Sequence, residues 1–79
     1  MDGRPLRLVV AFHTTAASMA AEQLCRQNRL EGRLIPVPRR ITSDCGIAWS
    51  APVSLRRTLE ELFDRERVDT AGFYELPLE

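Results

Sequence analysis

The 79-residue chain has no lysine: all eleven basic side chains are arginine, and eleven acidic residues balance them. A net charge of zero excludes the basic excess usual in a dedicated nucleic-acid binder, so no nucleic-acid partner is expected. Two cysteines are too few for a disulfide framework. Met1-Asp2-Gly3-Arg4-Pro5 has no apolar signal core, and no apolar run reaches the roughly 20 residues that span a membrane, so no membrane association is expected. There is no repeat of solenoid length and no low-complexity segment. No CxxC or HxxxH pair occurs; His13 and Cys45 alone are weak evidence for a metal, and no metal or cofactor is expected. A nucleophile–base–acid set for hydrolysis is also missing. What remains is a single domain over residues 1–79, placed in a reducing cytoplasm where thiols persist. Its 44% hydrophobic content suits a folded protein, but so short a chain buries a modest core, which a homodimer or a fusion partner would support.

What the chain does have is one polar hairpin containing a cysteine. Residues 36–46 carry Pro36, Pro38, the pair Arg39 and Arg40, then Thr42-Ser43-Asp44 directly before Cys45 and Gly46. A cysteine among hydroxyl and carboxylate neighbours is not placed as a core hydrophobe. Thiols react as thiolates, and nearby cations favour that form. Arg39 and Arg40 are the candidate cations, and Gly46 leaves room beside the sulfur. Cys45 is therefore the candidate reactive or sulfur-carrying thiol. Cys25 instead falls on an apolar helical stripe and is assigned to packing.

In chain order, Leu6–Phe12 reads as a central strand with Leu6, Leu8, Val10 and Phe12 on one face. Arg7, Val9, Ala11 and His13 share the other. Thr14 or Thr15 can cap a helix over Ala16–Asn28, whose stripe is Ala17, Ala20, Ala21, Leu24 and Cys25. Asn28 or Gly32 can supply the left-handed residue that ends it. Gly32–Pro36 is a short strand that its proline confines to an edge, and Gly46–Ser50 is a strand that can be central. A second helix starts within Ser50–Ser54 and carries Leu55, Leu59, Leu62 and Phe63, with Arg57–Glu61 and Glu61–Arg65 as surface pairs. Val68–Gly72 turns the chain into a last edge strand, Phe73–Pro77.

The order β-α-β-β-α-β is that of an α+β, ferredoxin-like fold: a four-stranded antiparallel sheet ordered four-one-three-two, with two helices on one face. In that topology Phe12, His13, Thr14 and Thr15 meet Arg39, Arg40 and Cys45 at one end of the sheet. The uncovered face carries Val9 and Ala11 with either Ile47 and Trp49 or Ala48 and Ser50. If apolar, it would suit a dimer or a docking partner.

Phe12-His13-Thr14-Thr15, the run Leu34-Ile35-Pro36-Val37-Pro38-Arg39, the entry Cys45-Gly46-Ile47-Ala48 and the final Gly72-Phe73-Tyr74-Glu75-Leu76 together resemble the selenium/sulfur carrier-like family, a small bacterial domain formerly of unknown function. The resemblance covers nearly the whole chain, and Pro-x-Pro-Arg followed by Cys-Gly is its most specific part. It implies a carrier rather than an enzyme. Cys45 would accept sulfur or selenium from a cysteine desulfurase-type donor, as a persulfide or its selenium analogue, and pass it to an acceptor protein. Arg39, Arg40, His13, Thr14, Thr15 and Gly46 are the candidate binding residues around it. A second reading stays open: a non-catalytic binding or regulatory module of ferredoxin-like fold, dimeric through its open face, with a redox-sensitive thiol.

Overall fold

Strand β1 (Leu6–Phe12) is apolar and buried on both faces from Leu8 to Phe12, as a central strand must be. It lies inside a four-stranded sheet, paired antiparallel with β3 (Ile47–Pro52) on one side and β4 (Thr70–Pro77) on the other. Strand β2 (Arg33–Pro36) pairs antiparallel with β3, giving the order β2-β3-β1-β4. Read from the other edge this is four-one-three-two. With α1 (Thr15–Gln27) and α2 (Arg56–Arg65), it is the α+β ferredoxin-like arrangement that the element order requires. Pro36 and Pro77 end the two edge strands, where a missing N–H leaves no interior ladder broken. The structure is a computed structural model and describes residues 5–41 and 43–77.

Three boundaries differ from the sequence reading, each for a tertiary reason. Ser50, Ala51 and Pro52 belong to β3, because Leu8 and Arg7 of β1 pair with Ala51 and Pro52. The second helix is preceded by a 3-10 turn, Val53–Leu55, and starts at Arg56. Strand β4 begins at Thr70, not Phe73: Ala11 pairs with Gly72 and Phe12 with Thr70, so Ala71 is the extra residue of a bulge.

Helix ends also differ. The left-handed residue after α1 is Arg29 (φ 55°), not Asn28 or Gly32. Arg29 N–H donates to the Arg26 carbonyl at 3.1 Å and Leu30 N–H to that of Cys25 at 2.8 Å. After α2, Arg67 (φ 58°) and Val68 repeat both bonds, to Asp64 and Phe63. Two paired carbonyls and an apolar contact at each end hold an arginine where glycine is commoner. Asn28 contributes differently, its side-chain amide donating to the Leu24 carbonyl at 2.8 Å.

The main core lies between the sheet and the helices. Leu8, Val10 and Phe12 of β1 and Trp49 and Ala51 of β3 meet Ala21 and Cys25 of α1 and Leu59, Leu62 and Phe63 of α2. On α1 the buried residues are Ser18, Ala21 and Cys25, whereas Ala20 is exposed. Ser18 tolerates burial because its hydroxyl donates to the Thr15 carbonyl at 2.7 Å. Gly32, at φ 153°, is needed for close approach: a Cβ there would sit 2.6 Å from the Trp49 indole. On the surface Arg57 pairs with Glu61 as expected, while Arg65 turns to Glu66.

The opposite face is only partly open. Val9, Ala11 and Ala48 are buried beneath Ile41 and Val37, so the β2–β3 connection folds back across the sheet. Of the two alternatives for β3, the second holds: Ala48 and Ser50 accompany Val9 on this face, and Trp49 joins the helix side. Among the described residues no helix is long and apolar enough to cross a membrane.

Candidate functional site

The end of β1 and the start of α1 build one wall of the site. Thr14 stays extended (φ −135°, ψ 153°) and its Oγ1 accepts the Ala17 N–H at 3.1 Å, capping the helix. Thr15 is then the first helical residue, and its side chain stands at the positive end of the α1 dipole.

The loop before β3 builds the other wall. Ser43 joins the two: its hydroxyl donates to the Phe12 carbonyl at 2.6 Å and accepts the Cys45 N–H at 3.4 Å. This ties the cysteine backbone to the end of β1, 31 residues earlier than Ser43. The Cys45 thiol points across the gap, with Sγ 3.9 Å from Thr15 Oγ1. It is half-buried and packs at the margin of the helix-side core. Gly46 follows at φ 76°, and a Cβ there would meet nothing within 4 Å. Backbone conformation, not crowding, therefore calls for the glycine. Its carbonyl accepts the Val37 N–H at 3.0 Å, closing the loop neck. His13 Nδ1 lies 3.9 Å from Asp44 Oδ2, both well exposed, a pairing that water screens strongly.

Of the residues singled out from the sequence, the structure brings His13, Thr14, Thr15, Cys45 and Gly46 to one end of the sheet, around Ser43. It does not bring Arg39 and Arg40 there. Both line a trough on the opposite face of the sheet, whose walls do not include Cys45. The reason is hydrophobic: Val37 and Ile41, on either side of the pair, are anchored under Val9, Ala11 and Ala48. Ser43, by contrast, is bonded to the end of β1 beside the first turn of α1. Sequence reasoning treated the whole hairpin as one cluster and passed over Ser43. Its signal was a hydroxyl two residues before the thiol, a spacing that lets a side chain reach a backbone N–H.

The second thiol contrasts with the first. Cys25 is fully buried in the helix-side core, and burial pushes it up to about 11. Among the described residues, no three or more His, Cys, Asp or Glu side chains gather as a metal site would need. The site thus offers one partly exposed thiol with two hydroxyls beside it, while the second thiol is sealed in the core.

Residues 7–75 match the model of the family described as "Putative Se/S carrier protein-like". No curated protein and no solved structure matches the chain.

Proposed function

The chain belongs to this Se/S carrier-like family, and from that premise we propose that Cys45 is the sulfur that carries the cargo. The Cys45 thiolate attacks the outer sulfur of a donor persulfide. One S–S bond forms on Cys45 as the donor's S–S bond breaks, and the donor leaves as a thiolate. The transfer needs no external oxidant, and the reverse exchange hands the sulfur to an acceptor thiolate. Selenium would travel in the same way as the outer atom. The observation that carries this reading is the contrast between a half-exposed Cys45 and a sealed Cys25. A carried persulfide is discharged when a second thiol attacks it, and Cys25 is out of reach.

The surrounding residues have supporting roles in this reading. Ser43 holds the Cys45 backbone in place. Thr15 and the first turn of α1 supply a hydroxyl and the positive end of the helix dipole to a negatively charged persulfide. His13 and Asp44 stand exposed at the rim, where a donor or acceptor protein would touch them. Donor and acceptor are proteins with reactive sulfur, the donor of cysteine desulfurase type, and the exchange belongs in a reducing cytoplasm.

The test is intact-mass spectrometry after incubation with a cysteine desulfurase plus cysteine, and separately with a low-molecular-weight persulfide. One added sulfur atom, removable by reductant, is the expected result. Cys45→Ser should abolish it and Cys25→Ala should retain it. Failure of both donors while Cys45 remains alkylatable would overturn the reading.

A further inference from the structure

The face of the sheet opposite the helices holds an open trough of about 960 Å³, away from Cys45. Four arginines line it: Arg7 from β1, Arg33 from β2, and Arg39 and Arg40 from the connection to β3. Among the described residues no acidic side chain does. The arginines of the helices are placed differently. Arg26, Arg56, Arg57 and Arg65 each have a carboxylate within 4 Å, whereas among the described residues none of the trough arginines has one. Among the described residues, this chain of net charge zero therefore gathers four arginines without a carboxylate partner in one concavity. We propose that this trough is a binding site for a small, multiply charged anion of the pyrophosphate or phosphate-ester class.

The chemistry of the walls supports that class. Guanidinium groups bind phosphate oxygens in pairs and keep their charge at any working pH. Arg7 is already oriented, its Nε donating to Ser50 Oγ at 3.3 Å, and among the described residues nothing pairs with its two terminal nitrogens. Arg33 stands opposite Ser50 in the β2–β3 register, and Val9 pairs with Ser50 from the other side, so Arg7 and Arg33 flank one hydroxyl. Four of the chain's five prolines, Pro5, Pro36, Pro38 and Pro77, stiffen the walls, so little conformational entropy is lost on binding. Ile35 and Leu76 add apolar surface for the uncharged part of an ester.

The observations favour a small molecule over an acidic protein segment. The volume lies within the range of small-ligand sites, about 300–1,000 Å³. A peptide adding to the sheet beside these arginines would need the β2 edge, which offers only four residues ending in a proline, while the longer edge, β4, reaches the trough only through Leu76 and Pro77. The inference does not depend on sulfur transfer, because Cys45 lies outside the trough.

The experiment is calorimetric titration of the full chain at low salt with inorganic pyrophosphate and with ATP, without divalent metal. Saturable one-site binding that weakens as salt is added is expected. Arg39→Gln and Arg40→Gln together, and Arg33→Gln alone, should each weaken it about tenfold or more, with thermal melts unchanged. Arg57→Gln on α2 should leave it intact, as should Cys45→Ser, which separates this result from the fate of the carrier reading. No saturation by either anion would overturn the proposal. So would binding indifferent to the trough substitutions, or a hexaglutamate peptide that binds more tightly than pyrophosphate.

Discussion

Cys25 and Cys45 both touch the core on the helix side of the sheet, yet their surroundings differ in kind. Cys25 lies in the last turn of α1, fully covered, and its carbonyl accepts the N–H that closes the helix. Cys45 lies in a loop, half-covered, held by a serine hydroxyl and a threonine 3.9 Å from its sulfur. A regular helix packed on a sheet leaves a thiol no path to solvent. A loop pinned at one point can hold a thiol in a defined place and still leave one side open.

The largest expected effect is in reaction rate. Under native conditions at neutral pH, a small alkylating reagent should modify Cys45 at least about a thousandfold faster than Cys25. The raised pKa of Cys25 alone removes a factor of roughly 100 relative to an ordinary thiol, and closure of the core adds the rest. Time-resolved intact-mass measurements on Cys25→Ala and Cys45→Ser would give both rates, and comparable rates would break the comparison.

Stability in alkali probes the buried side. The Cys25 thiol is raised to about 11 in the folded chain, against about 9 when unfolded. Folded protein therefore holds this proton more tightly. Its contribution is fully present below pH 9 and is lost as pH rises through 11, by about 3 kcal/mol. Urea midpoints at pH 8 and pH 11 should fall further in the native sequence than in Cys25→Ala. An equal fall in both would show that the burial of Cys25 does not govern its proton.

Ser43 sharpens the exposed side. Ser43→Ala removes the bond to the Phe12 carbonyl and the partner of the Cys45 N–H, at a cost of about 1 kcal/mol. The alkylation rate of Cys45 should change severalfold while that of Cys25 follows only the loss in stability. An unaltered Cys45 rate would mean that the loop is held by its other contacts, such as the Val37–Gly46 backbone bond.

The smallest effect is expected from the arginine pair. Replacing Arg39 and Arg40 by Gln should leave the Cys45 alkylation rate within about twofold, since both groups lie across the sheet in exposed positions where salt screens them. A slowing of tenfold would place them beside the thiol after all.

Much of this architecture is readable in the residues themselves. The nearly continuous apolarity of Leu6–Phe12, the 3.6-residue stripe that carries Cys25, and prolines at the ends of two strands lead to the element order and its edges, because local sterics and periodicity set these. A hydroxyl before a helix likewise predicts a cap at Thr14 or Thr15, and the structure places it at Thr14. What periodicity could not settle is where the segment from Val37 to Cys45 travels. Its path depends on Ile41 finding a buried place on Val9, Ala11 and Ala48, residues distant in sequence, and on Ser43 reaching the end of β1. Those contacts send Arg39 and Arg40 to one face and Cys45 to the other. The pairing of β1 with Ala51 and Pro52 is equally non-local and carries β3 past the point where helix signals begin. The chain by itself thus determined its elements, their edges and the identity of its two thiols. Only tertiary burial, which rewards contacts regardless of separation along the chain, decided which side of the sheet each charged or reactive group occupies.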